Sequence, residues 1–340
     1  MPTTCNLESN QMAAFEVPRR PAYDPLLVSV MEASKDMFPE KLDVPFARAT
    51  GMGEQLDFGP KQVIDALPHL KHSEYSAPGL EAGDDNVLLS IFSPIAPTST
   101  SLPAVYFIHG GGQFSGDRFA ALSVVMEWFE SIDITFVSVE YRLAPEHRAP
   151  AALHDSYAGL LWLVAHAEDL GVDTSKIIIC GGSGGAPIAA GTSMLCTRHA
   201  KPFPLAQMIL TPMLDDRDCT VSSKQFARDG PWCGTTNRMA WDCVLGDSRG
   251  SAGVDELVAP GRATDLVGMP PTFVDAGACE VFRDEAVAFA SNLWKSGVNA
   301  ELHVWPGAFH GFDMLGFATP LAQASRNAKK NWIRRVLTMS

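Results

Sequence analysis

Short apolar runs bounded by turn-forming residues recur from about residue 72 onward and alternate with longer stretches of helical periodicity. Asn86-Val87-Leu88-Leu89-Ser90-Ile91-Phe92 and Leu102-Pro103-Ala104-Val105-Tyr106-Phe107-Ile108 read as strands. The spacing then predicts a helix over 119–131, a strand over 134–140, a helix over 151–168, a strand over 176–180, a helix over 185–198 and a strand over 206–211. After an interruption it resumes with a strand over 272–276, a helix over 283–296, a strand over 300–305 and a C-terminal helix to about residue 337. Such alternation predicts an α/β fold, a mostly parallel sheet covered by helices on both faces.

Two stretches break the pattern. Residues 1–70 mix short apolar groups with many prolines and end in Lys61-Gln62-Val63-Ile64-Asp65-Ala66-Leu67, which suggests irregular helices that form part of a lid. Between Asp215 and about Pro270 the chain is rich in Asp, Gly, Ser and Arg, and Trp232 and Trp241 fall in short helices; this reads as an insertion. The division is therefore an N-terminal cap segment over 1–70, a catalytic core over 71–214 and 269–340, and a cap insertion over 215–268. No internal repeat and no low-complexity tract interrupts it.

Candidate chemistry gathers where strands end. Gly181-Gly182-Ser183-Gly184-Gly185 joins the run Ile177-Ile178-Ile179-Cys180 to a helix, so Ser183 sits on a sharp strand-to-helix turn of the kind that presents a nucleophile. His109-Gly110-Gly111-Gly112 follows another strand, and its unobstructed amides suit a developing oxyanion, where a single preorganised donor is worth about 10²–10³ in rate. His310, in the loop after the last strand, is the general-base candidate; His109, followed at once by glycines, is better suited to anchoring its loop, and of the other histidines His147 alone merits watching. Glu280 follows the strand over 272–276 and can orient the imidazole, with Asp284 one helical turn away as the alternative acid.

Composition narrows the partners. The 340 residues, 46% hydrophobic and 19% charged, suit one large globular unit, and the net charge of −13 argues against nucleic acid or an anionic membrane and for a small-molecule substrate. The stretch from Met1 to Val17 lacks an apolar h-region, no apolar run reaches membrane-spanning length, and seven cysteines without a C-x-x-C pair suit reduced thiols, so a cytoplasmic protein without a membrane anchor is expected. No metal spacing and no dinucleotide-binding glycine pattern occurs, so neither metal nor cofactor is expected.

These residues together resemble the hormone-sensitive-lipase-like family of α/β-hydrolases from about residue 75 to 335. Its His-Gly-Gly-Gly loop matches 109–112, its Tyr-Arg-Leu-Ala-Pro-Glu segment matches Tyr141 to Glu146, and the Asp and Trp of the next helix match Asp155 and Trp162. The resemblance implies an eight-stranded sheet with a helical cap, and an oxyanion hole made by the amides of Gly111, Gly112 and Gly184. The family's Asp-Pro-Leu-x-Asp segment corresponds to Glu280-Val281-Phe282-Arg283-Asp284, which puts glutamate at the usual aspartate position. The flank of Ser183 also departs from the family's Gly-Asp-Ser-Ala-Gly-Gly, and Pro187 replaces its asparagine. Specificity is expected in the cap, with Phe114, Trp232, Met239 and Trp241 as pocket candidates, and homodimers through the last strand or helix are common in the family.

The reading that follows is a serine esterase cleaving a carboxylic ester, thioester or lactone of a small, largely apolar molecule through an acyl-enzyme of Ser183, His310 and Glu280. The alternative keeps the nucleophile but performs acyl transfer or ring formation in secondary-metabolite assembly. A catalytically inert receptor ranks last, because related hormone receptors lack the histidine that His310 supplies here.

Overall fold

The run Ile177-Ile178-Ile179-Cys180 is apolar on both sides, and a strand of that kind is stable only when covered on both faces. In the computed structural model, which describes residues 17–35, 42–49 and 59–338, it is the centre of an eight-stranded sheet. The strands are β1 Leu70–Ala77, β2 Val87–Pro94, β3 Leu102–Ile108, β4 Thr135–Glu140, β5 Val172–Gly182, β6 Ala206–Leu210, β7 Thr272–Gly277 and β8 Ala300–Trp305. Their spatial order is β1-β2-β4-β3-β5-β6-β7-β8. The β1–β2 and β2–β4 pairs are antiparallel, and every pair from β4 to β8 is parallel.

Side chains alternate across this sheet into two cores. Ile177 and Ile179 join one core with Leu160, Ile188 and Phe289, under helices Ala151–Ala165, Gly185–His199 and Arg283–Lys295. Ile178 and Cys180 join the other with Val63, Val125 and Trp332, under helices Pro60–Ala66, Leu122–Glu127 and Pro320–Thr338. Burial pushes the Cys180 thiol up to about 12, so it packs as a small hydrophobe.

A third cluster forms the cap. Phe226, Trp232 and Trp241 of the insertion pack on Phe114 and Phe282, and helix Gly234–Leu245 carries Ala240, Trp241 and Val244 into it. A fourth, smaller cluster packs Leu27 of helix Pro25–Ala33 against Phe309 and Phe312, which flank the loop of His310.

The boundaries drawn from sequence need correction at two places. Helix Pro60–Ala66 falls inside the segment assigned to the cap, yet its Val63 packs in the sheet core beside Leu70 and Phe129. Ala263 and Leu266, assigned to the insertion, likewise pack in the core of the sheet. In both cases a few apolar residues among many polar ones reach the main core because the chain passes directly over the sheet. Residues 1–16, read above for a secretory signal, lie outside the described residues, as does Cys5. Among the described residues no helix is long and apolar enough to cross a membrane.

Candidate active site

Ser183 has φ 54°, a left-handed backbone that costs a non-glycine residue roughly 1–2 kcal/mol. Three backbone hydrogen bonds hold it there: its N–H donates to Leu210 O (2.9 Å), and its carbonyl accepts from Met213 N (3.2 Å) and Ala186 N (3.1 Å). Glycine is needed beside it, since a Cβ on Gly185 would lie 2.3 Å from the carbonyl oxygens of Ile108 and His109. The turn therefore lifts the hydroxyl above the ends of β5 and β6.

The end of β8 supplies its partner. Ser183 Oγ donates to His310 Nε2 across 2.9 Å, and His310 Nδ1 donates to Glu280 Oε2 across 2.6 Å. The loops carrying the two latter residues are tied together, Ala278 N donating to Trp305 O (2.8 Å) and Cys279 N to Ala308 O (2.9 Å). Glu280 is buried, and its Oε1 accepts from the Gly277 amide, so one oxygen is anchored on β7 while the other faces the imidazole. Phe282 packs edge-on against the His310 ring at 5.1 Å and Trp232 lies 5.9 Å from it, fixing its orientation. Asp284 stands elsewhere: its carboxylate accepts from Ser222 N (2.7 Å) and Arg283 Nε (2.7 Å), which docks the insertion and leaves Glu280 alone on the imidazole.

The glycine loop faces the same hydroxyl. A Cβ on Gly184 would stand 2.5 Å from the Gly112 nitrogen, so the backbone after the serine and the loop are in direct contact. Gly112 has φ 62° and lies against Trp232 and Phe114, a conformation and a space closed to a side chain. The Tyr141–Glu146 segment holds this loop in place. Tyr141 Oη donates to His109 O (2.9 Å) and stacks on the His109 ring at 4.1 Å, while Arg142 makes a forked pair with buried Asp155. Arg48, on cap helix Val44–Ala49, donates to Phe114 O (2.8 Å) and Ala144 O (2.9 Å) and pairs with Glu146, clamping cap, loop and segment together. Nothing in the sequence singled out Arg48, because its partners are mostly backbone carbonyls far along the chain.

His109 is fully buried and does not reach Ser183; its Nδ1 contacts Gly110 O at 2.9 Å. Burial lowers its imidazole to about 4, against ~6.5 for an unfolded histidine. As pH falls through that window the unfolded chain takes up a proton that the folded chain refuses, so stability is fully present above the unfolded value and drops by about 3 kcal/mol toward the folded one. Thermal midpoints of the parent and His109→Gln, followed from about pH 7 to pH 4.5, should show a shallower acid slope in the variant. Parallel curves would count against the assignment. His147 is exposed.

Glu285 is a second buried carboxyl that sequence reasoning passed over. It accepts from Asp215 N (2.7 Å), and burial together with the Asp215 charge raises it well above the usual carboxylate range. It ties the chain after β6 to the helix that follows Glu280.

A cavity of about 90 Å³ opens beside Ser183 and His310, walled mainly by Phe107, Val124, Val125, Leu210 and Met314. None of the four pocket candidates lines it. Phe114 and Trp241 are buried within the cap cluster, Met239 packs on its edge, and Trp232 covers the glycine loop and His310. The wall comes instead from strand ends and helix Leu122–Glu127, positions that read as ordinary core in the sequence. Among the described residues no cluster of His, Cys, Asp and Glu is arranged as a metal site.

Comparison with known proteins agrees with this architecture. A family model described as "alpha/beta hydrolase fold" matches residues 105–314. The chain is 28% identical to "Esterase LipI" of Mycobacterium tuberculosis over 329 residues, covering 94% of this chain and 96% of that protein. It is 29% identical to "Carboxylesterase NlhH" of the same species, covering 94% and 97%. Among solved structures, "Bacterial Heroin Esterase" superposes with a TM-score of 0.84 at 34% identity, over 93% of this chain and 98% of that one. The esterase LipW from Mycobacterium marinum gives 0.80 at 28% identity, over 94% and 98%.

Proposed function

The chain belongs to the hormone-sensitive-lipase-like α/β-hydrolases and is a carboxylic ester hydrolase, and from that premise we propose that it cleaves its ester through an acyl-enzyme on Ser183. The observation that carries this reading is the unbroken relay from Ser183 Oγ to His310 Nε2 (2.9 Å) and from His310 Nδ1 to Glu280 Oε2 (2.6 Å). With its Nδ1 proton held by Glu280, the imidazole turns a lone pair toward the serine hydroxyl and takes its proton as Oγ attacks the carbonyl. The amides of Gly111, Gly112 and Gly184 receive the oxyanion, each such donor being worth about 10²–10³ in rate. His310 then protonates the leaving alcohol, takes a proton from water, and the water oxygen releases the acid from Ser183.

The apolar walls of the cavity beside Ser183 favour a small, largely apolar ester, and thioesters and lactones present the same reacting carbonyl. The test is a panel of p-nitrophenyl esters of rising acyl length, combined with a fluorophosphonate and mass analysis. Expected are turnover of the short esters and a single phosphonyl adduct on Ser183. Turnover that persists after complete labelling would sink the acyl-enzyme mechanism. Adding an alcohol or amine acceptor to the same assay separates hydrolysis, where free acid stays the product, from acyl transfer.

A further inference from the structure

The cavity beside Ser183 has a polar floor that the hydrolytic mechanism does not use. Lys329, of helix Pro320–Thr338, is buried beneath it and donates to Asp275 Oδ2 (2.8 Å), Asp313 Oδ2 (2.7 Å) and Ser325 Oγ (2.8 Å), which commits all three of its N–H groups. Asp275, Asp313 and Lys329 all line the cavity, as does Trp128, whose ring lies 5.1 Å from Lys329 Nζ. Asp275 Oδ2 also accepts from Trp305 Nε1 (3.2 Å).

Two polar atoms around this floor have no partner among the described residues: Asp275 Oδ1, an acceptor on a residue with no exposed surface, and Trp128 Nε1, a donor on a residue 6% exposed. A buried polar group left unpaired costs roughly 1–3 kcal/mol, so two on one small cavity are unexpected unless something that enters it pairs with them. An alkyl group would leave both unpaired. An ammonium group would satisfy the carboxylate and leave the indole N–H unpaired, whereas a hydroxyl both donates and accepts.

We propose that the arm of the ester entering this cavity carries a hydroxyl group, which donates to Asp275 Oδ1 and accepts from Trp128 Nε1. The inference rests on ester hydrolysis at Ser183 and adds the substrate class: short hydroxylated esters in place of plain alkyl ones. At about 90 Å³ the cavity has room for a few heavy atoms. Asp275 and Trp128 are specificity-determining residues in this scheme, and neither takes part in bond making.

Two matched ester pairs test it, one varied on each side of the carbonyl: p-nitrophenyl butyrate against p-nitrophenyl 3-hydroxybutyrate, and propyl butyrate against 2-hydroxyethyl butyrate. In the parent, the hydroxylated member of one pair should have a kcat/KM at least about tenfold above its plain partner. Trp128→Phe, which leaves every Lys329 ion pair in place, and Asp275→Asn should each bring that ratio toward one. The ratio is taken within one preparation and so is insensitive to the folded fraction, which circular dichroism reports separately. Loss of the preference in either folded variant supports the assignment. No preference in the parent for either pair, with the plain esters still turned over, overturns it and leaves the Ser183 mechanism standing. A preference that survives both substitutions overturns it as well. Failure to turn over any of the esters would overturn the Ser183 mechanism and this inference with it.

Discussion

Ser183→Ala should lower kcat on p-nitrophenyl butyrate by roughly 10⁵-fold or more, with residual turnover set by the oxyanion donors and substrate binding alone. Alanine keeps the Cβ, so the φ 54° turn and its hydrogen bonds to Leu210, Met213 and Ala186 have no reason to move. Only the 2.9 Å contact with His310 Nε2 disappears. The thermal midpoint should therefore stay close to that of the parent, and the fluorophosphonate adduct should vanish. A variant that keeps more than about a hundredth of the parental rate would mean that another group attacks the carbonyl.

The second large effect separates two neighbouring carboxylates. Glu280→Gln should cost about 10⁴ in kcat, because an amide N–H turned toward His310 Nδ1 stabilises the tautomer whose Nε2 carries the proton, and that nitrogen then has no lone pair for the serine. Asp284→Asn should leave kcat/KM within about fivefold of the parent, since Asp284 holds Ser222 and Arg283 and makes no contact with the imidazole. Steady-state rates of the two variants on one ester decide the matter. The reverse ranking would reassign the acid.

Much of this site was legible because its parts are local. The nucleophile turn, the glycine loop and the histidine loop each depend on a few adjacent residues at a strand end, and glycine runs after apolar runs are visible in sequence. Glu280 could be named by position, but what separates it from Asp284 is three-dimensional: the Gly277 amide anchors one, and Ser222 and Arg283 engage the other. β1 escaped notice for a different reason. At the sheet edge, only its end residues Leu70 and Ala77 are buried, so Leu-Lys-His-Ser-Glu-Tyr-Ser-Ala carries little apolar signal. The cavity wall was hidden as well, because Trp128, Asp275 and Lys329 come from three separate elements and each alone reads as core or surface. Aromatic residues of the cap drew attention to the wrong side of the serine.

The sheet order has a bearing on how this enzyme comes into being. The loop at 109–112, Ser183, Glu280 and His310 follow β3, β5, β7 and β8, and the floor of the cavity depends on Lys329 in the last helix. Parallel strands need long crossovers, so these pairings close late in folding. A chain emerging from the ribosome exposes its serine well before its histidine has been made. Esterolytic power is therefore withheld until synthesis is nearly complete, and fragments truncated before the last strand are inert.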